Sequence, residues 1–377
     1  MSRYITEHIR SDLKKKMVFI GGPRQAGKTT LAKGLLSEYA NGTYLNWDRE
    51  FDKKTIRNEG WDERSKLVVF DEIHKYKLWK NWIKGIYDTH YETQKFIVTG
   101  SARLDVYRRG GDSLLGRYHY WRLHPFSLHE IPKGLSPSEM MDRLMRVGGF
   151  PEPLLENSER FARRWRQERA DRILRDDVRD LEGLKDIQRL SLLLDLLRDR
   201  VGKPVVYSNL AEDLQTTSPT IAKWIEVLER MYVIFIVRPY STNLPRALQK
   251  PPKIYFYDNA DVNDDIGMRF ENLVATHLIK QLHFLRDRDG YQYELSYVRD
   301  KEKREVDFVI LKDKRPLTLI EAKWSDASVS PALLYFANKL KPKSCLQIVG
   351  ELKKDFKKAG VLVSHPTRSL TSLEEFK

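Results

Sequence analysis

Apolar residues in the first third of the chain fall into short runs separated by stretches of helical spacing. Residues 16–22 are apolar and β-rich, 29–39 have helical spacing, and 43–47 form a second strand candidate. Runs at 67–70, 94–99 and 118–123 continue the series. Strands joined through helical stretches predict a parallel sheet covered on both faces.

From Met140 to about Arg200 the pattern is helical. Arg160, Arg163, Arg164, Arg166, Arg169, Arg172, Arg175 and Arg179 alternate with acidic residues, which predicts a solvated helix laced with ion pairs. Ile187, Leu190, Leu194, Leu197 and Val201 then mark one apolar helical stripe. Residues 208–214 read as a short helix, Pro219 opens another that runs to Arg230, and strands follow at 231–237 and 253–257. Helix, turn, helix and two strands is the order of a winged helix. The remainder reads as a helix (267–282), β-rich runs at 291–298, 305–311 and 317–324, a helix at 331–339 and a strand at 344–349. This last segment predicts an α/β unit with a mixed sheet.

Composition bounds the picture. At 377 residues, a prior of roughly 150 residues per domain gives two or three domains. Cys345 is the single cysteine, so no intrachain disulfide can form and a reducing cytoplasm is expected. Apolar runs such as 67–70 fall well short of the ~18 residues that span a bilayer, and residues 1–16 lack the apolar core of a signal peptide. The expectation is a soluble cytoplasmic protein with no membrane partner. A net charge of +14, most of its basic excess within residues 1–135, favours a polyanionic partner.

Two motifs predict an ATP site. Gly22-Pro23-Arg24-Gln25-Ala26-Gly27-Lys28-Thr29, with Thr30 after it, matches G-x-x-x-x-G-K-[ST] between a strand and a helix. Glycines let successive N–H groups curl around a β-phosphate, Lys28 reaches the β- and γ-phosphates, and the Thr29 hydroxyl binds Mg²⁺. Lys66-Leu67-Val68-Val69-Phe70-Asp71-Glu72 ends a second strand in two carboxylates. Asp71 is expected in the Mg²⁺ shell, with Glu72 orienting or deprotonating the attacking water. Ser101, beyond the strand at 94–99, is the candidate polar residue between that acid pair and the γ-phosphate. Arg103 and Arg117 are candidates to stabilise charge on the transferring phosphoryl, in cis or across a subunit boundary. His74 reads as capping or packing.

A second constellation lies near the C-terminus. Asp307 interrupts the apolar run 306–310, and Glu321 and Lys323 interrupt 319–324. Period two places Glu321 and Lys323 on one strand face, and a hairpin pairing would bring Asp307 to the same face. Buried charges of this kind pair or bind metal. Asp307 and Glu321 are therefore candidate Mg²⁺ ligands, Lys323 a group that orients water or stabilises a charged phosphorus centre, and Glu271 a further acid.

With these residues assembled, the chain resembles a prokaryotic family that joins an AAA-type P-loop ATPase to a C-terminal domain of unknown function 4143. The resemblance rests on Gly22 to Thr29, Leu67 to Glu72, Thr99 to Ser101, Leu114-Leu115-Gly116-Arg117, Gly148-Gly149-Phe150-Pro151, Phe270-Glu271-Asn272, Glu305-Val306-Asp307-Phe308 and Ile320-Glu321-Ala322-Lys323. The last three are similar to the motif set of PD-(D/E)xK nucleases. The resemblance implies an α/β chain: a P-loop ATPase (1–135), a helical connector (136–204), a winged helix (205–260) and a restriction-endonuclease-like domain (261–377). It departs from the expected pattern in the helix 219–230, where Lys223 and Arg230 are offset by Glu226 and Glu229, an unfavourable balance for a phosphate-neutralising surface. ATP and Mg²⁺ as cofactors, DNA as partner and a ring or hexamer of copies are the resulting expectations. The leading function is ATP-driven DNA processing; the alternative is a nucleotide-dependent regulatory switch whose nuclease-like domain only binds.

Overall fold

The apolar runs of the N-terminal part pair as a five-stranded parallel sheet of order β2-β3-β4-β1-β5. The elements are α1 (Thr6–Asp12), β1 (Met17–Gly21), α2 (Lys28–Leu36), β2 (Gly42–Asn46), α3 (Glu50–Arg57), β3 (Leu67–Asp71), α4 (Trp79–His90), β4 (Lys95–Thr99) and β5 (Tyr118–Arg122). Every residue of β1 and β3 is buried, as continuous apolar strands between helical layers require. Phe19, Phe70, Phe96, Trp61 and Trp79 fill one core, with Phe70 edge-on to Trp61 and Trp82. The computed structural model describes residues 3–100, 114–178, 186–241 and 250–374, and the chain divides into two units, Met1–Pro125 and Phe126–Lys377. The first unit therefore ends before the boundary at 135 expected from sequence.

The second unit opens with helices: α5 (Pro137–Arg146), α6 (Pro151–Glu156), α7 (Glu159–Arg172), a π-helical turn (Ile173–Val178), α8 (Ile187–Arg198), α9 (Tyr207–Asp213) and α10 (Ser218–Arg230). Local chemistry fixes their starts. Ser136 and Glu139 exchange a capping box at α5, Asp186 caps α8 and Thr217 caps α10. The arginine-rich α7 is only partly the solvated, ion-paired helix expected: Arg164 reaches Glu168 at 2.9 Å, whereas Arg169 is buried and stacks 4.1 Å over the Phe150 ring.

Beyond α10 come β6 (Ile234–Pro239), β7 (Lys253–Phe256), α11 (Ile266–Asp289), β8 (Tyr293–Arg299), β9 (Glu305–Lys312), β10 (Arg315–Lys323), α12 (Pro331–Leu340), β11 (Ser344–Val349), β12 (Phe356–Lys358), β13 (Val361–Ser364) and α13 (Pro366–Ser369). α11 runs past the expected end at 282, because Phe284 and Leu285 continue its buried face and the stop comes only at Gly290, in a left-handed conformation. The eight strands form a single mixed sheet of order β12-β13-β11-β10-β9-β8-β6-β7. The hairpin β6–β7, read as the wing of a winged helix, thus joins the C-terminal sheet through the parallel pairing of Arg238 with Ser296 and Pro239 with Tyr297.

Asn272 of α11 locks this junction. Fully buried, it accepts from Phe256 N at 2.8 Å and donates to Phe256 O and Asn259 Oδ1, both at 3.1 Å. Asn259 in turn donates to Leu144 O at 3.1 Å, tying α5 to the same turn. Truncation to alanine strips partners from buried backbone groups and should cost on the order of 2–4 kcal/mol. The Asn272→Ala urea midpoint is predicted to fall accordingly; an unchanged midpoint would show that the junction has other support.

Candidate functional site

The loop between β1 and α2 has a conformation set by glycine. Gly22 sits at φ +123°, and a Cβ there would lie 2.5 Å from Leu123 O. Gly27 caps α2 at φ +95°, and a helix N-terminus following such a loop is suited to an anion. Pro23 and Ala26 are buried, while Gln25 and Thr30 are exposed and Arg24 is half-buried. Lys28 is buried, and its ammonium donates to Gly22 O at 3.0 Å and Pro23 O at 2.7 Å. Sequence reasoning passed over Arg3, whose guanidinium donates to Ala26 O at 2.8 Å and His124 O at 2.7 Å and so braces the loop from behind.

Strand order decides what faces this loop. Because β4 lies between β1 and β3, the carboxyl end of β4 separates the loop from the acid pair. Asp71 is buried. Its Oδ2 accepts from Thr29 Oγ1 at 2.8 Å and Tyr44 OH at 2.6 Å, and its Oδ1 accepts from Thr99 Oγ1. Three hydroxyls thus surround one carboxylate. Burial and the bond to Asp71 raise the Tyr44 hydroxyl above its ordinary pKa. Tyr44 carried no sequence signal beyond lying in a strand, and Thr99 figured only in the Thr99 to Ser101 motif, with no role of its own. Glu72 holds a left-handed φ of 57°, and its Oε2 lies 3.5 Å from both His74 Nε2 and Lys75 Nζ.

Of the two arginine candidates, Arg103 lies outside the described residues, as does Ser101. Arg117 precedes β5 and forms a fork with Asp88 of α4, at 2.6 and 3.0 Å. Its carbonyl accepts from Met17 N at the start of β1. That is the opposite end of the sheet from the P-loop, about 15 Å away at 3.3 Å per strand residue. The cis role expected for Arg117 is therefore corrected: its own loop is out of reach.

In the second unit, the antiparallel register of β9 and β10 pairs Phe308 with Ile320, bringing Asp307 beside Glu321. Asp307 Oδ2 accepts from Ala322 N at 3.0 Å. Lys323 Nζ lies 3.0 Å from Glu321 Oε1, while the buried Glu321 Oε2 accepts no hydrogen bond. Glu271 of α11 accepts from Tyr255 OH at 2.7 Å. At the centre is Lys253 of β7, which sequence reasoning missed. Its buried ammonium lies 2.8 Å from Glu305, 3.2 Å from Glu271 and 3.4 Å from Asp307. All four sequence-predicted residues therefore meet in one cluster, with Lys253 and Tyr255 added by the tertiary structure and Glu305, in the sequence only the first residue of the Asp307 motif, paired to Lys253.

Electrostatics mark this cluster as short of positive charge. Burial first and the nearby Asp307 charge second push the Glu321 carboxyl up to about 8 and Glu271 up to about 7. Among the described residues no three acidic, histidine or cysteine side chains form a preformed metal cage. Mg²⁺ asks for less: it keeps several waters and takes one or two carboxylates. The unpartnered Glu321 Oε2 beside Asp307 fits that donor set.

Comparison with known proteins adds the following. An AAA domain family matches residues 14–132, which contain the glycine loop, the Asp71–Glu72 strand and all five parallel strands. Residues 14–132 are thus similar to AAA domains. Two families described only as domains of unknown function, DUF8612 and DUF4143, match residues 138–267 and 266–367. An uncharacterized protein of Haemophilus influenzae is 25% identical over 339 residues, covering 78% of this chain and 79% of its own. One of Mycobacterium tuberculosis is 22% identical, covering 84% of this chain and 72% of its own. A Walker-type ATPase of Pyrococcus abyssi covers 68% of this chain and 93% of its own at 16% identity, with a TM-score of 0.41. A RuvB of Thermotoga maritima covers 61% and 88% at 19% identity and 0.31. At those scores the fold rests on the strand order above. No helix among the described residues is long and apolar enough to cross a membrane.

Two predictions follow from this geometry. In the AAA domain, Lys28→Ala should weaken nucleotide binding about tenfold or more, and Glu72→Gln should bind ATP while its kcat falls about 100-fold; equal turnover by Glu72→Gln and the parent would remove Glu72 as the base. In the carboxylate cluster, the folded chain retains a proton on Glu321 that the unfolded chain releases near its ordinary 4.5, so that stability is complete below this value and is lost as pH rises through about 8. Without divalent cations, the melting temperature should fall between about pH 5 and about pH 8 more steeply in the parent than in Glu321→Gln. Parallel curves would show that Glu321 is ionised throughout.

Proposed function

We propose that this chain is an ATP-hydrolysing protein that acts on DNA, its C-terminal carboxylate cluster being a Mg²⁺-dependent phosphodiester site of the PD-(D/E)xK kind. The observation that carries the reading is the unpartnered Glu321 Oε2 beside Asp307, with the Lys323 ammonium 3.0 Å from the other oxygen of the same carboxylate.

In the AAA domain, the Gly22–Thr29 backbone and the α2 terminus would cradle the β-phosphate, and Lys28 would exchange its loop carbonyls for phosphate oxygens. Thr29 and Asp71, already in contact, are the residues that would hold Mg²⁺, which supplies charge neutralisation at the transferring phosphoryl. Thr99 would keep the Asp71 carboxylate in orientation, and Glu72 would position the attacking water. Ser101 and Arg103, which follow β4 in sequence, are proposed as further γ-phosphate contacts; Arg117 would serve only a neighbouring copy in a ring.

In the second unit, Asp307 and Glu321 would hold Mg²⁺, which polarises the scissile phosphate and activates water. Lys323 would orient that water or stabilise charge on phosphorus, and Glu271 would keep Lys253 and Tyr255 in place. The basic excess of the chain suits a polyanion. A second reading, a nucleotide-driven regulatory switch whose C-terminal region only binds, is favoured by α10, where Arg230 is held by Glu226 at 2.5 Å and is unavailable to a phosphate.

The test incubates the full chain with Mg²⁺ and labelled linear, forked and four-way-junction duplexes, with and without ATP. Mg²⁺-dependent cutting that falls about 100-fold or more in Asp307→Asn, with DNA binding retained, is the expected result. Binding without any cutting selects the switch reading, and absence of binding to every duplex at about 0.1 M salt removes DNA as the partner.

A further inference from the structure

Lys253 has no place in the motif set that pointed to the C-terminal cluster. It lies on β7, in the hairpin read as a wing, and far from β9 and β10 in sequence. Its ammonium is nonetheless deep within the cluster, 1% exposed and within 3.4 Å of three carboxylates on two segments: Glu271 of α11, and Glu305 and Asp307 of β9. A buried ammonium with three carboxylate neighbours does the electrostatic task of a bound cation: it neutralises acids brought together out of water. A bridging divalent ion would need those same oxygens.

Charge counting limits what else can enter. The carboxylates of Glu271, Glu305, Asp307 and Glu321 face the cations Lys253, Lys323 and Arg299, the last 3.1 Å from Glu305. With every group ionised, one negative charge is left over. One divalent ion converts this to a single positive charge, which an incoming phosphodiester would offset. A second would leave three positive charges within a few ångströms, and it would have to compete with the lysine for Glu271 Oε1 and Asp307 Oδ1. Glu321 Oε2 accepts no hydrogen bond, and no contact joins Glu321 to Lys253 among the ion pairs of the cluster.

We infer that Lys253 is a built-in cation standing where a second metal ion would bind, so that this site takes one divalent ion, on Asp307 and Glu321, and not two. This inference rests on the metal-dependent reading above and specifies the stoichiometry of that same site. It makes Lys253 a positioning residue: it holds Glu271, Glu305 and Asp307 together and closes the second position, contributing from β7 to a site whose other parts come from α11, β9 and β10.

Mn²⁺ titration of the nucleotide-free full chain, followed by electron paramagnetic resonance, tests it. Asp307→Asn keeps an acceptor for Ala322 N while removing the charge, so the Mn²⁺ bound by the parent and not by this variant belongs to the cluster. The parent should bind one such ion, with the uncoupled six-line spectrum of an isolated Mn²⁺. Lys253→Met, which retains length and apolar volume, should bind two with a spin-coupled spectrum. Two Asp307-dependent ions in the parent, or one in a folded Lys253→Met, would overturn the inference and leave the metal reading intact. No Asp307-dependent ion at all would remove the metal reading and the inference with it. Should Lys253→Met fail to fold, the count and coupling in the parent decide the matter alone.

Discussion

A carboxylate taken out of water must find compensating charge or hydrogen bonds, because the penalty after relaxation is still several kcal/mol per ion. Both candidate sites of this chain are local answers to that constraint. Asp71 is enclosed by the hydroxyls of Thr29, Tyr44 and Thr99. Asp307, Glu271 and Glu305 are enclosed around one ammonium, and Glu321 has a single half-exposed lysine. The difference matters chemically. Hydroxyls reorient when a cation arrives and can give up the carboxylate at small cost, whereas a buried lysine remains a fixed charge.

The placement of each site follows from sheet topology. In a parallel sheet all carboxyl ends lie along one edge, so the glycine loop after β1 and the acids after β3 share an edge with β4 between them. The same rule takes Arg117, which precedes its strand, to the other edge. In the mixed sheet of the second unit, an antiparallel hairpin makes neighbours of Asp307 and Glu321, and strand addition by β6 and β7 brings a residue of the β6–β7 hairpin into the same cluster.

One physical consequence is that the segments read as winged helix and C-terminal domain share more than a linker. A continuous ladder, the Asn272 bonds and the Lys253 ion pairs all cross the division expected at residue 260. Movement of β7 would change the charge environment of Glu271 and Asp307 directly, so the geometry couples the hairpin to the cluster through contacts, with no intermediate element.

How much was legible in the sequence depended on whether the signal was local. The P-loop, the Asp71–Glu72 strand and the apolar runs of the parallel sheet are spelled in consecutive residues, since turn geometry, phosphate contact and strand burial are each fixed within a few positions. Asp307, Glu321 and Lys323 were legible too, because charge inside an apolar strand is conspicuous and a hairpin has few registers. The length of α11 was not, since its stop lies in a glycine beyond residues that continue its buried face. Nor were Arg3, Tyr44 and Lys253, each an ordinary residue type in an ordinary place until distant segments pair. Their roles come from neighbours far along the chain, and loop-closure distances of that size leave no periodicity to read. The residue types determined which chemistries were available; the strand order determined which charges had to share one small volume, and therefore which of those chemistries remain open.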